Sequence, residues 1–76
     1  MELNNFIEKF AEQFDETEES QFKACTEFKA LEEWSSLIAL SIIAMVDEEY
    51  SVTLKGEDIR NSSTIEELYN IVKSRI

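Results

Sequence analysis

Residues 35–50 read Ser35-Ser36-Leu37-Ile38-Ala39-Leu40-Ser41-Ile42-Ile43-Ala44-Met45-Val46-Asp47-Glu48-Glu49-Tyr50, and the spacing within this run sets the architecture. Ser35 is a good N-cap, and Ser51 and Gly56 mark an exit, so the run predicts a helix from Ser35 or Ser36 to about Tyr50. At about 100° per residue, Ala39, Ile42, Ile43, Val46 and Tyr50 share one arc and form a core face. Leu37, Leu40 and Ala44 line a second arc bordered by Ser41, Asp47 and Glu48, with Ile38 and Met45 on a flank. A chain of 76 residues has too few other segments to cover both sides, so part of the second stripe is expected to face solvent. The alternative is that the connection before this helix folds over the stripe.

Upstream, Leu3, Phe6, Ile7, Phe10, Ala11 and Phe14 recur at helical spacing with polar residues between them, which predicts an amphipathic helix. Asp15-Glu16-Thr17-Glu18-Glu19-Ser20 then packs like charges with no apolar residue and reads as a solvated loop. It does not fit a calcium loop counted from Asp15: Ser20 stands where Gly is needed and Thr26 where a bidentate Glu is needed. Phe22, Phe28, Leu31 and Trp34 follow without clean periodicity, which predicts an irregular connection pinned to the core by its aromatics, with room for a short helical turn.

Downstream, Ser51-Val52-Thr53-Leu54 alternates like a strand but has no second strand to pair with. Gly56 gives a turn, and Glu57-Asp58-Ile59-Arg60 a short third helix anchored by Ile59. Ile65, Leu68, Tyr69, Val72 and Ile76 repeat at helical spacing, behind Thr64 with Glu67 three residues on, the signature of a capping box.

These elements predict one all-α domain over residues 1–76, with three longer helices and one short helix before the last. Composition then removes most chemistries. With 17 acidic and 7 basic residues the net charge is −10, which disfavours nucleic acids and anionic lipid surfaces and favours proteins with basic patches. The absence of His excludes Ser-His-Asp and Cys-His nucleophilic systems and any His-containing zinc site. Cys25 alone cannot form an intramolecular disulfide and reads as a small, reduced, half-buried residue of a cytoplasmic protein. Met1-Glu2-Leu3-Asn4-Asn5 has no basic or apolar signal-peptide character. The most apolar run, Leu37 to Val46, falls far short of the roughly 20 residues of a membrane span.

Three long helices, a short one before the last, a long first loop, strong acidity and a Ser-Leu pair opening the second helix together resemble an acyl carrier protein. That family attaches 4′-phosphopantetheine to the Ser of an Asp-Ser-Leu motif, which Ser35-Ser36-Leu37 matches here. The resemblance therefore implies that Ser36 is the attachment residue, modified by a phosphopantetheinyl transferase that supplies the base and the coenzyme A donor. It further implies that Leu37, Leu40, Ala44, Asp47 and Glu48 form the recognition face for acyl-transferring or acyl-modifying enzymes with basic docking surfaces. Phe28, Ile43, Val46, Tyr50 and Ile59 become candidate lining for an acyl chain, with plain core packing as the other reading. Asp47-Glu48-Glu49-Tyr50 and Thr64-Ile65 match an acidic cluster with an aromatic and a helix-opening pair of the family. On this reading the chain is a monomeric carrier of acyl intermediates in a fatty acid, polyketide or other specialised pathway, not an enzyme, and no metal is involved.

Three positions depart from the family pattern. Ser35 stands in place of Asp, which could weaken or redirect the transferase while still capping the helix. Ile38 and Ser41 stand where carriers of general fatty acid synthesis are often acidic, so the docking face is more apolar near the attachment point. This favours a dedicated carrier of a specialised pathway. Trp34, beside the motif, is expected to brace the loop. The competing reading is an unmodified acidic helical protein that docks on the basic surfaces of a partner.

Overall fold

The computed structural model describes residues 2–76. Its elements are α1 (Leu3–Ala11), two 3₁₀ turns (Glu19–Gln21 and Phe28–Ala30), α2 (Ser36–Tyr50), α3 (Gly56–Arg60) and α4 (Ile65–Ser74). Among the described residues there is no strand, and the result is a small helical bundle. α1 packs against α2 and α4, and α3 packs against α4. The radius of gyration is 11.0 Å, close to the value of about 11 Å expected for a compact chain of this length.

The core is largely aromatic. Phe6 and Phe10 of α1 are completely buried; Phe10 lies 5.2 Å from the Phe28 ring centroid, and Phe6 lies 5.7 Å from that of Tyr69 on α4. Helix α1 ends three residues before Phe14, a turn short of the full apolar repeat. Phe14 is still buried, because the amides of Gln13 and Phe14 donate to the carbonyls of Phe10 and Ala11 and carry the chain on in a tighter turn. Phe14 then meets Phe22 at 4.9 Å.

The connection between α1 and α2 is irregular and anchored, as its aromatics predict, with Phe22 and Phe28 buried and Leu31 and Trp34 half-buried. Trp34 braces it, with its ring 5.0 Å edge-on from Phe28 and 6.3 Å from Phe14. The acidic stretch is more than a solvated linker. One carboxylate, Glu33, accepts the backbone amides of Asp15, Glu16 and Thr17 at 2.7, 3.0 and 2.9 Å, and the Thr17 hydroxyl at 2.7 Å. Further along, Ile65 and Glu66 at the head of α4 donate to the carbonyls of Thr26 and Ala24, which gives helix-start amides partners they would otherwise lack. Cys25 lies in this segment and is exposed, not half-buried. Its neighbours Ala24 and Thr26 are held by the backbone bonds to Glu66 and Ile65.

Val52 and Leu54 are buried in an extended segment that pairs with no strand, so their alternation marks a core-facing link. Ser51, at the end of α2, adopts the left-handed conformation (φ 57°, ψ 36°) and donates its amide to the Asp47 carbonyl. Gly56 is the first residue of α3 rather than part of a turn before it, and the Lys55 amide donates to the Asp58 carboxylate at 2.9 Å. Thr64 caps α4 by accepting the Glu67 amide at 3.2 Å, while the Glu67 carboxylate accepts from Ser63, one residue ahead of the usual capping-box partner. Ile76 falls past the end of α4 and is exposed, so the repeat of this helix stops at Val72.

Candidate functional site

Ser35 and Ser36 divide the start of α2. Ser35 is extended (φ −156°, ψ 171°), and its hydroxyl accepts the Ile38 amide at 3.3 Å, making it the N-cap. Ser36 is the first helical residue and is exposed, and its hydroxyl has no hydrogen-bond partner among the described residues. The amides of Ser36 and Leu37 precede the first intrahelical bond, Ala39 to Ser35, and are available to an anion at this end.

The two arcs of α2 are not buried as the wheel predicts. Ile42 and Val46 are completely buried and Met45 nearly so, whereas Ala39, Ile43 and Tyr50 are half-buried. The buried face is thus turned from the predicted centre toward Met45. The cause is tertiary: α1 covers the Met45 side, where Lys9 of α1 bridges to Glu49 at 3.0 Å, while the Ala39–Ile43 side borders a groove. The Tyr50 ring packs 6.0 Å from Phe6, and its hydroxyl is buried without a partner among the described residues; burial raises its pKa.

The second arc is open. Leu37 is 73% exposed and Leu40 62%, and Ala44, Asp47 and Glu48 are also exposed; the preceding connection does not fold over them. The structure therefore brings Ser36, Leu37, Leu40, Ala44, Asp47 and Glu48 onto one solvent-facing side of a single helix. Glu49 is held by Lys9, and neither Asp47 nor Glu48 takes part in an ion pair among the described residues. Such a surface can give a small desolvating contact with charge beside it for steering.

Beside Ser36 runs an open groove of about 570 Å³ between α2 and α3. It is lined by the cap Ser35 and by Ser36, Ala39, Leu40 and Ile43 of α2, by Gly56, Ile59 and Arg60 of α3, and by Lys29 and Trp34 of the connection. Of the candidate acyl-chain residues, Ile43 and Ile59 reach this groove, whereas Phe28 and Val46 are completely buried in the core. Lys29 and Arg60 carry no sequence signal as site residues, being far apart in the chain. The Lys29 ammonium joins them by donating to the Arg60 carbonyl at 2.8 Å.

Among the described residues, no group of three or more His, Cys, Asp or Glu side chains is placed to hold a metal ion, and no helix is long and apolar enough to cross a membrane. No model of a known protein family matches the chain, and no curated protein or solved structure matches it.

Proposed function

We propose that this chain is a carrier protein, not itself an enzyme, with Ser36 as the attachment point of a 4′-phosphopantetheine arm. The observation that carries the reading is the division between the two serines: Ser35 caps the helix through its own hydroxyl, and Ser36 beside it is left exposed, its oxygen unpartnered among the described residues. The residues fit the group, since a phosphodiester on Ser36 would sit at a helix start with amides and the positive end of the dipole facing it. In the attachment, the Ser36 oxygen bonds to phosphorus and its proton passes to a base of the transferase. The pyrophosphate linkage of coenzyme A breaks, and its adenosine bisphosphate half leaves. Once attached, the arm supplies a thiol that holds an acyl group as a thioester. The chain itself needs no catalytic base, consistent with a sequence that contains no His.

Leu37, Leu40 and Ala44, with Asp47 and Glu48, form the face offered to partner enzymes with basic docking surfaces. The reading places the protein in the cytoplasm as a monomer serving a fatty acid, polyketide or other specialised acyl pathway. Incubation with a phosphopantetheinyl transferase, magnesium and coenzyme A should add the mass of one phosphopantetheine. Ser36→Ala should abolish the gain and Ser35→Ala should keep it. No gain with several transferases, together with a basic partner that binds Ser36→Ala as tightly as the parent, would favour the unmodified acidic docking protein instead.

A further inference from the structure

The charges around the α2–α3 groove run against those of the whole molecule. Acidic residues outnumber basic ones 17 to 7, yet among the described residues the groove is lined by no carboxylate side chain and by two of the cations, Lys29 and Arg60. Its other walls are Trp34, Ala39, Leu40, Ile43 and Ile59, with the two serines at the start of α2. Arg60 runs back along its own helix, with Nη1 3.5 Å from the place a Cβ on Gly56 would occupy. Its guanidinium meets no acceptor among the described residues. The ion pairs formed by those residues are Lys9–Glu49 and Arg75–Asp58, so neither groove cation is neutralised.

An apolar trough with two unneutralised cations on its rim suits an amphiphile with an anionic end. A guanidinium can take a carboxylate through two parallel hydrogen bonds, and the ammonium beside it adds a second charge. The surrounding negative field repels anions elsewhere, which makes this island selective. A purely aliphatic cargo would use the apolar wall and gain nothing from the cations. The phosphate of the arm would have donors of its own in the free amides of Ser36 and Leu37.

We propose that the cargo carried on Ser36 is an acyl group ending in a carboxylate, with its carbons along Ile43, Ile59 and Trp34 and its carboxylate against Arg60 and Lys29. This inference rests on the carrier reading and names its substrate class. The test loads the whole chain with octanoyl-phosphopantetheine or its ω-carboxy counterpart, each transferred intact from the coenzyme A thioester. Intact mass reports loading, while NMR of the Arg60 Nε–H and the Ile43 and Ile59 methyls, with thioester lifetime in hydroxylamine, reports the groove.

The ω-carboxy cargo should shift all three signals and lengthen the thioester lifetime several-fold over octanoyl. Lys29→Gln with Arg60→Gln should return it to the octanoyl value. Equal behaviour of the two cargoes in the parent protein overturns the inference and leaves the carrier reading intact. So does an Arg60 shift already complete with the bare arm, which would make the phosphate the bound anion. Failure to gain mass at all overturns the carrier reading, and this inference falls with it.

Discussion

The Ser35 hydroxyl accepts the Ile38 amide at 3.3 Å, while the hydroxyl of Ser36, one residue on, has no hydrogen-bond partner among the described residues. Two adjacent serines at a helix start could have shared the cap, and the extended backbone of Ser35 assigns it to the first. Ser35→Ala should therefore cost about 1 kcal/mol. Ser35→Asp should hold the stability, because its carboxylate can accept the same amide at the positive end of the dipole. Urea unfolding of the three proteins measures this, and an unchanged midpoint for Ser35→Ala would show the cap to be idle.

Glu33 ties down the acidic loop. Desolvation pushes its pKa up, but the Thr17 hydroxyl and the amides of Asp15, Glu16 and Thr17 outweigh this and hold it below the usual carboxylate value. Glu33→Gln removes the charge from four hydrogen bonds and should speed hydrogen exchange at those three amides, with α4 unchanged. Exchange at Asp15–Thr17 as slow as in the parent would mean that the loop is held by something else.

Asp58 and Arg75 join α3 to the end of α4 through two hydrogen bonds of 2.8 Å. The Arg75 guanidinium, followed by the Lys55 amide, lowers the Asp58 pKa from 3.8 to about 2. A depressed folded-state pKa gives stability that is present above the unfolded value and lost as pH falls toward the folded one. The clamp should thus be intact at neutral pH and weaken between about pH 4 and pH 2. Arg75→Ala should return the Asp58 titration, followed by carboxyl ¹³C NMR, toward the ordinary range. A midpoint that stays near 2 would assign the shift to the Lys55 amide instead.

Exposure separates two neighbours on α2. Leu40 is 62% exposed and Ile42 completely buried. Leu40→Ala should change stability by no more than about 0.5 kcal/mol, whereas Ile42→Ala should cost about 2–5 kcal/mol. For partner binding the order should reverse, with Leu40→Ala weakening it. A large loss of stability in Leu40→Ala would place that side chain in the core.

How far the sequence carries follows from which interactions are local. The helices around Phe6, Ile42 and Leu68 come from short-range periodicity, and the caps at Ser35 and Thr64 from residues three apart, so these were legible. The exposure of Leu37 and Leu40 followed from counting the segments available to cover them. Helical spacing does not report which neighbour covers which side, and so Met45 is buried where Ala39 was expected. Nor does it report where a helix stops, which placed Phe14 and Ile76 in helices that end before them. Glu33 with Thr17, Asp58 with Arg75 and Lys29 with Arg60 lie far apart in the chain and meet only once it is folded. The groove, the most informative part of the candidate site after Ser36, belongs to that class.

The central claim concerns one oxygen atom and is tested by locating a covalent change on it. The chain would be treated with a phosphopantetheinyl transferase and coenzyme A, digested, and the peptide spanning Trp34–Leu37 fragmented. The account predicts one phosphopantetheine per chain, carried by the Ser36 fragment and absent from Ser35. An unmodified peptide after treatment with several transferases, or modification at another serine, would contradict it.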